Sequence, residues 1–384
     1  MSQGLSSSAT RPVGRWERVL RACLLLSGMS GLVTGIWGGL LRIGWNLPLP
    51  VHHANWITFH GPLMVCGFLG TLIGLERAVG LRAGWTWWAP LLAGVGGVLT
   101  EAGVLGWGPR LCISAGSAVF LAVAIRILMI QRNLANIVQM LGAGSWLAGN
   151  VAWCLDRPVA QVVPAWMAFL LLIIAGERLE LTRFAPPDPR AARVLLACLA
   201  VLVGGLVFEA AQLPGRNLLL GAALAGTAVW LLRFDLAWRT IRSPGLPRYM
   251  AISLLSGYGW LLISGVWMGL SWPQTAGVAY DGMLHAFFVG FVFAMIFGHA
   301  PVIFPAILGV PVVFHPAVYF WWAALQVSLV LRLAADGLGW AAGRSWGAAG
   351  NGVAIAGFLL TMLVGWGRGW WRARRAAARV ASGR

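Results

Sequence analysis

The histidines are the residues of this chain whose type and placement most readily support metal chemistry. His60 and His285 each lie inside a long apolar run, where an ionisable side chain is costly to insert and indicates a function. Each follows the start of its run, at Trp56 or Asp281, by four residues. At about 1.5 Å of rise per residue, both imidazoles are predicted about 6 Å inside one membrane face. Two neutral imidazoles at one depth on different helices can bind opposite sides of one haem iron.

The residues that follow His60 extend this candidate site. Met64 lies one turn deeper on the same helix face, and Gly67, Gly70 and Gly74 form a stripe of small residues along which a flat macrocycle could approach the backbone. The alternative is that each histidine only hydrogen-bonds a neighbouring helix. The predicted cofactor-binding residues are His60, His285, Met64 and Gly67.

The other four histidines are weaker candidates. His299 lies about 21 Å deeper than His285 along the same helix and is a candidate for a second metal or proton-relay site, although a polar contact at a helix kink is favoured. His52 and His53 precede the apolar run that contains His60. A solvated loop is favoured there over an outer mouth, a contact to a haem propionate or a copper site. No role is assigned to His315.

Composition predicts that membrane-spanning helices carry these residues. Hydrophobic residues make up 59% of the 384 residues and charged residues only 10%, whereas soluble domains carry about 25% charged residues. Apolar runs of about 20 residues, the length that spans a bilayer, recur along the chain. We predict an all-α polytopic bundle, one transmembrane domain over residues 1–384. Its twelve predicted spans are 19–41, 56–76, 84–106, 110–130, 135–155, 160–180, 191–212, 216–236, 249–270, 281–304, 316–335 and 347–367.

The placement of the arginines predicts the orientation. All 28 basic residues are arginine. If the N-terminus is cytoplasmic, 22 of the 28 arginines lie on the inner side and six on the outer side. The positive-inside rule therefore places both termini in the cytoplasm, with an N-terminal segment at 1–18, a basic tail at 368–384 and a bacterial-type cytoplasmic membrane as the location. The six outer arginines are Arg42, Arg110, Arg157, Arg216, Arg332 and Arg344.

Two other readings of the composition are excluded. The formal charge of +17 would suit nucleic acid, but the arginines lie between apolar runs and not on one polar face, so nucleic acid is not expected as a partner. The five cysteines are scattered singly, which predicts neither a disulfide framework nor a thiolate metal site.

Two segments resemble helices of the catalytic subunit of haem-copper oxidases. The stretch from His60 through Met64 to Phe68, His-Gly-Pro-Leu-Met-Val-Cys-Gly-Phe, is similar to the second helix of that subunit, where a His-Gly-x-x-Met pattern carries one ligand of the low-spin haem. The stretch that begins at His285, His-Ala-Phe-Phe-Val-Gly-Phe, is similar to the tenth helix, which carries the opposite ligand. The resemblance implies that His60 and His285 are the axial ligands of a low-spin haem, of the b-type.

The first segment also resembles the NnrS family of haem- and copper-containing membrane proteins linked to nitric oxide tolerance. In that family a histidine is followed by methionine at +4 and Gly-Phe at +7 and +8, which matches His60, Met64, Gly67 and Phe68. Copper is therefore a second candidate metal. NnrS proteins usually carry a second histidine two residues after the first, where this chain has Pro62.

The departures from the oxidase pattern bear on activity. The oxidase ligand of the oxygen-reducing haem lies two residues before the low-spin ligand, and that position is Met283 here. Residues 160–236 contain no histidine for a copper centre. The resemblance thus implies one low-spin haem and argues against terminal oxidase activity.

Two imidazoles leave no open iron position, which favours electron transfer with a redox partner, while a nitric oxide response requires one ligand to dissociate. An oxidoreductase activity other than that of a terminal oxidase remains an open possibility for this chain.

Two other classes of function stay open. In a transporter for a metal ion or a proton-coupled small substrate, the histidines would line the path. Against this, the halves show no repeat and no matching pair of broken helices. The other class is a non-catalytic subunit of a respiratory complex.

Overall fold

The computed structural model describes residues 14–182, 188–271, 275–309 and 312–381, and within these ranges the secondary structure is helical, without strands. Three short helical segments, His53–Thr58, Gly84–Trp87 and Ala237–Thr240, lie between longer helices. The long helices, numbered in chain order, are α1 Arg15–Arg42, α2 His60–Leu81, α3 Trp88–Glu101, α4 Trp107–Ile130, α5 Leu134–Cys154, α6 Val159–Thr182, α7 Pro189–Ala210, α8 Arg216–Phe234, α9 Leu246–Leu270, α10 Val278–Leu308, α11 Ala317–Gly337 and α12 Ala341–Ala381.

Ten of these helices are long and apolar enough to cross a membrane, so the chain is an all-helical protein of the multi-pass membrane type. The two predicted spans outside this set fall on α3 and α5. Helix α3 has 14 residues, about 21 Å of rise, against a hydrocarbon core of about 30 Å. Helix α5 is longer but carries the polar residues Asn136, Gln139 and Asn150. Twelve crossings and the side on which the termini lie stay predictions.

The two ends of the chain differ in how much the structure describes. Of the predicted N-terminal segment 1–18, residues 1–13 lie outside the described residues. The predicted basic tail continues α12 as one helix as far as Ala381, and residues 382–384 lie outside the described residues. The basic segment therefore extends from the last predicted span without a break in the helix.

Local side-chain chemistry explains where several helices begin. The Asn133 side chain accepts a hydrogen bond of 2.7 Å from the backbone N–H of Asn136 at the start of α5. Asp188 accepts one of 2.8 Å from the N–H of Arg190 at the start of α7. Such caps satisfy backbone donors that the first helical turn leaves free. Gly277, with a φ of 93°, turns the chain into α10.

Three helices form the centre of the bundle. Among the ten candidate spans, α2, α6 and α10 bury the largest shares of their residues. Their side chains meet in one apolar core that includes Phe68, Trp166 and Phe287. His60 and His285 lie on two of these three central helices, α2 and α10.

The two histidine-bearing helices share an unusual backbone. In α2, residues Leu63–Gly70 are π-helical, and in α10 residues Ala286–Val292 are π-helical. Such segments are rare and occur often at functional sites. Each π segment begins within three residues after a histidine. Both helices therefore leave α-helical geometry directly beside His60 and His285.

Helices α2 and α10 also run side by side in matched register. Phe68 and Phe293 each follow their histidine by eight residues, and their rings lie 6.2 Å apart between centroids. The side of the bundle at which α2 and α10 begin is called the histidine face below. The opposite face is the one at which these two helices end.

Ion pairs tie the central helices together near the opposite face. Arg77 at the end of α2 pairs with Glu177 of α6. The neighbouring Arg178 donates to both carboxylate oxygens of Asp235, at 2.6 and 2.8 Å, and both side chains are buried. A charge is tolerated at such depth because its partner neutralises it. These pairs fix the ends of α2 and α6 relative to the segment after α8.

Candidate functional site

The structure brings the two predicted histidines together near the histidine face. The ring centroids of His60 and His285 lie 6.5 Å apart, and the ring planes are 8° from parallel. A metal ion bound by one nitrogen of each ring, at about 2 Å on each side, would place the centroids about 6 Å apart. The separation of the two imidazoles therefore suits one shared metal ion.

The hydrogen bonds of the two imidazoles define which nitrogen is free. His60 Nδ1 lies 2.6 Å from the carbonyl oxygen of Gly35, and His285 Nδ1 lies 2.7 Å from that of Asp281. A carbonyl oxygen only accepts, so each Nδ1 carries the hydrogen and each neutral ring keeps its lone pair on Nε2. Histidines that bind metals usually donate their other N–H to a carbonyl or carboxylate in this way. Both side chains are thus prepared as Nε2 ligands.

Helix α1 packs closely on the His60 side of the pair. A Cβ atom at Gly39 would lie 2.9 Å from His60 Cε1 and 3.1 Å from Nδ1, closer than ordinary contact allows. A Cβ atom at Gly35 would lie 2.6 Å from Met64 Sδ. Only glycine at these two positions lets α1 approach the imidazole, accept its hydrogen bond and leave Met64 in place.

Charged residues of α11 and α12 fix the His285 side. The carboxylate of Asp281 accepts hydrogen bonds from Arg332 Nη2 at 2.7 Å and from Arg344 Nη2 at 3.0 Å. Asp281 Oδ1 also lies 3.4 Å from His285 Nδ1. Because two arginines hold one carboxylate, the residue that orients His285 is itself anchored to two further helices.

A large cavity opens beside the two imidazoles. It contains about 1460 Å³ of space between protein atoms, its opening included, and both histidines line it. Its walls are mainly apolar and include Met64, Trp166 and Phe288. The cavity therefore has room for an apolar ligand much larger than a metal ion.

Hydrogen-bond donors without partners lie along the same cavity. Arg332 Nε and Asn351 Nδ2 are buried and have no hydrogen-bond partner in the part of the chain that the structure describes. Arg42 also lines the cavity, and the structure gives its guanidinium no partner among the described residues. Buried polar groups are rarely left unpaired, so the two buried donors, Arg332 Nε and Asn351 Nδ2, point to an acceptor supplied by a ligand or by water, whereas Arg42 is exposed. A flat apolar macrocycle with carboxylate substituents and a central metal ion fits these residues.

One family model matches the sequence, that of the Domain of unknown function DUF8744, over residues 21–366. The chain belongs to DUF8744. The comparison with curated proteins gives no match. The matched stretch begins in α1 and ends in α12, so it contains both histidines and the whole cavity of this DUF8744 chain. The family description names no activity.

The remaining predicted cofactor residues of the DUF8744 chain separate into two groups. Met64 lines the cavity with the histidines. Gly67 lies against Gly97 of α3, where a Cβ atom would be 3.5 Å from the Gly97 Cα atom, and it is not among the residues that line the cavity. The glycines that pack directly on His60 and Met64 are Gly39 and Gly35 of α1.

The other histidines lie away from this cavity. His299 Nδ1 bonds the carbonyl oxygen of Met295 at 2.7 Å, and Glu177 is among its charged neighbours near the opposite face. His53 Nδ1 lies 2.9 Å from the carbonyl oxygen of Pro50. Among the described residues, no group of three or more histidine, cysteine or acidic side chains is placed to hold a metal ion. Neither His299 nor His53 is thus part of a larger ligand cluster in the described chain.

Sequence reasoning missed the polar residues of the cavity. Arg42 and Arg332 belong to the six arginines that the charge bias predicts on the outer side, and their position on an arginine-poor side was the available signal. Asn351 is a polar residue inside an apolar run, which gives a weaker signal of the same kind. No sequence pattern distinguishes Gly39 from the other glycines of α1.

Proposed function

We propose that this DUF8744 chain is a haem protein of the cytoplasmic membrane that binds one b-type haem between His60 and His285 and transfers electrons. The observation that carries the proposal is the pair of parallel imidazoles, each with Nδ1 bonded to a carbonyl and Nε2 free. A haem is favoured over a copper ion because the cavity is far larger than one ion and its buried unpaired donors can bind acceptor groups of a larger ligand.

Different residues of the chain would bind the iron and the carboxylates of such a group. His60 and His285 would supply the two axial nitrogens, and Gly35 and Asp281 keep both rings oriented. Arg332 and Asn351, together with Arg42, would donate to the carboxylates of the macrocycle. The apolar walls would exclude water from the bound group. When bound, the haem supplies a one-electron redox couple.

The ligand set favours electron transfer over chemistry on a small molecule. With His60 and His285 both bound, the iron would keep no open position for a small molecule. A nitric oxide response requires one imidazole to dissociate, and both rings here are fixed by a hydrogen bond from Nδ1 to a backbone carbonyl. Met283, at the position of the oxidase's second haem ligand, is buried and supplies no imidazole. We therefore propose an electron-transfer role with a separate redox partner and no terminal oxidase activity.

The proposed orientation follows from the arginine bias. The histidine face is placed on the outer side of the membrane, and the opposite face, with the basic end of α12, in the cytoplasm. The haem would then lie in the outer half of the bilayer, close to an electron partner on that side.

An optical spectrum tests the proposal. The protein is expressed in cells supplied with haem, purified in mild detergent, and its reduced-minus-oxidised spectrum and haem content are measured. We expect the sharp bands of a low-spin b-type haem and one haem for each chain. Protein that is folded and contains no haem, or contains only high-spin haem, contradicts the proposal.

Gly39→Ala should lower haem binding through His60. The added Cβ atom meets the imidazole at 2.9 Å, so the ring or α1 has to shift. Displacing a well-supported ligand costs about 10–100-fold in affinity, and we expect a loss of that size in a haem titration of the apoprotein. Gly144→Ala in α5 is the matched control, because its Cβ atom would meet nothing within 4 Å. Equal haem affinity in the two variants would show that Gly39 does not position the ligand.

A further inference from the structure

A groove separate from the haem cavity runs between α11 and α12 toward the opposite face. It contains about 900 Å³ of space between protein atoms, its open side included. The apolar residues Val353, Leu360 and Val364 line it and are largely exposed. His315 and Arg368 lie at the end near the opposite face. The groove thus joins a long apolar channel to a polar end.

The dimensions of the groove match one leaflet of a bilayer. From Val353 to Val364 the helix rises about 16 Å, and half of a hydrocarbon core is about 15 Å. Arg368 follows one turn later, at the depth expected for lipid head groups. The apolar channel therefore has the length of an acyl chain that ends at a head group.

The walls of the groove are fixed by hydrogen bonds. Trp321 Nε1 donates to Thr361 Oγ1 at 2.9 Å, which ties α11 to α12. The N–H of Val313 donates to the carbonyl oxygen of Gly365 at 3.1 Å, which ties the segment before α11 to α12. A Cβ atom at Gly365 would lie 2.8 Å from the carbonyl oxygen of Val313. The groove is therefore preformed and does not depend on a mobile side chain.

The polar end offers donors and a positive charge. His315 Nδ1 accepts a hydrogen bond of 3.2 Å from the N–H of Ala317, so the ring hydrogen lies on Nε2, which is free to donate. Arg368 is exposed and has no partner among the described residues. No acidic residue follows Asp336 in the chain, and Arg372 and Arg375 continue the Arg368 side of α12. This end is suited to a phosphate.

We propose that this groove binds one anionic phospholipid of the leaflet at the opposite face. The phosphate lies between His315 Nε2 and the Arg368 guanidinium, and one acyl chain lies along Val353, Leu360 and Val364. Anionic lipids are favoured over zwitterionic lipids because the arginines beside the phosphate have no acidic residue nearby in the sequence to balance them. The site is independent of the haem, since no residue lines both the groove and the haem cavity.

Native mass spectrometry of the delipidated full chain tests this proposal. The probes are dioleoyl phosphatidylglycerol and dioleoyl phosphatidylcholine, which share their acyl chains and differ in charge. We expect one phosphatidylglycerol to bind at least about tenfold more tightly than phosphatidylcholine. Equal affinity for the two lipids, or no saturable site, overturns the proposal.

Variants separate the head-group end from the acyl channel. The double variant His315→Ala with Arg368→Ala should lose the preference for phosphatidylglycerol. Val353→Trp should weaken both lipids by filling the channel, and it removes no charge. Arg126→Ala on α4 is the control, since it removes an exposed arginine near the same face outside the groove.

Two further measurements keep the result interpretable. Thermal unfolding in detergent verifies that each variant is folded. The Val353→Trp variant is expected to fold, because Val353 is 62% exposed and has room for a larger apolar side chain. The His60→Ala protein should bind phosphatidylglycerol like the wild type, so loss of the haem and loss of the lipid site are distinguishable. Unchanged phosphatidylglycerol binding in both the double variant and Val353→Trp contradicts the assignment.

Discussion

Replacing either His60 or His285 with alanine should remove haem from the purified protein. In the proposed site each side chain would supply one of the two nitrogens that hold the iron, and the remaining imidazole alone would leave a five-coordinate or empty site. We expect the low-spin bands to vanish in both variants and the haem affinity to fall by more than about 100-fold, beyond the 10–100-fold typical of supporting residues. Optical spectra and haem content of protein purified in parallel measure this loss.

Two histidine variants serve as controls for that result. His53→Ala and His299→Ala remove imidazoles that lie outside the cavity. Both should retain full haem content and an unchanged spectrum. Haem loss in His299→Ala equal to that in His60→Ala would place the cofactor elsewhere, near the opposite face.

Removing the negative charge of Asp281 and removing the positive charge of Arg332 should shift the midpoint potential of the haem in opposite directions. Asp281→Asn removes a negative charge 3.4 Å from the His285 ring and keeps the backbone carbonyl that orients it. The oxidised iron carries the larger positive charge, so losing the carboxylate disfavours it and raises the midpoint potential. Arg332→Gln removes a cation and should lower the midpoint potential. A unit charge roughly 8 Å from the iron, at an effective dielectric constant of about 20, contributes about 2 kcal/mol, or about 90 mV for one electron.

Arg344→Gln is the matched control for Arg332→Gln. Arg344 also bonds Asp281, but it does not line the cavity and its side chain is more exposed than that of Arg332, 27% against 7%. Solvent screens the more exposed charge, so we expect a smaller shift. Midpoint potentials from spectroelectrochemical titration provide the comparison. Shifts of the same sign in Asp281→Asn and Arg332→Gln would contradict an iron bound beside His285.

Much of the architecture was predictable because membrane insertion constrains composition so strongly. The apolar runs identified the helices that the structure contains, and ten of them are long and apolar enough to span a bilayer. Boundaries moved where packing overrode hydropathy. The span predicted at 84–106 is a short helical segment followed by a helix that ends at Glu101, and the last helix continues to Ala381.

The pairing of His60 with His285 was predictable from their equal distance to the start of an apolar run. The 6.5 Å separation and the parallel planes were not, because they depend on α1 approaching through Gly39 and on Asp281 being held by arginines from two other helices. The arginine contacts to Asp281 join residues about 50 or more positions apart, and sequence patterns do not reveal contacts at that separation. The contact at Gly39 depends on the absence of a side chain, which leaves no pattern in the sequence.

Electron paramagnetic resonance of the oxidised protein tests most directly whether both imidazoles bind one iron as the structure arranges them. Two histidine ligands with nearly parallel planes predict a rhombic low-spin ferric signal that disappears in both His60→Ala and His285→Ala. A high-spin ferric signal in the wild type, or a low-spin signal that survives either substitution, would contradict ligation by this pair.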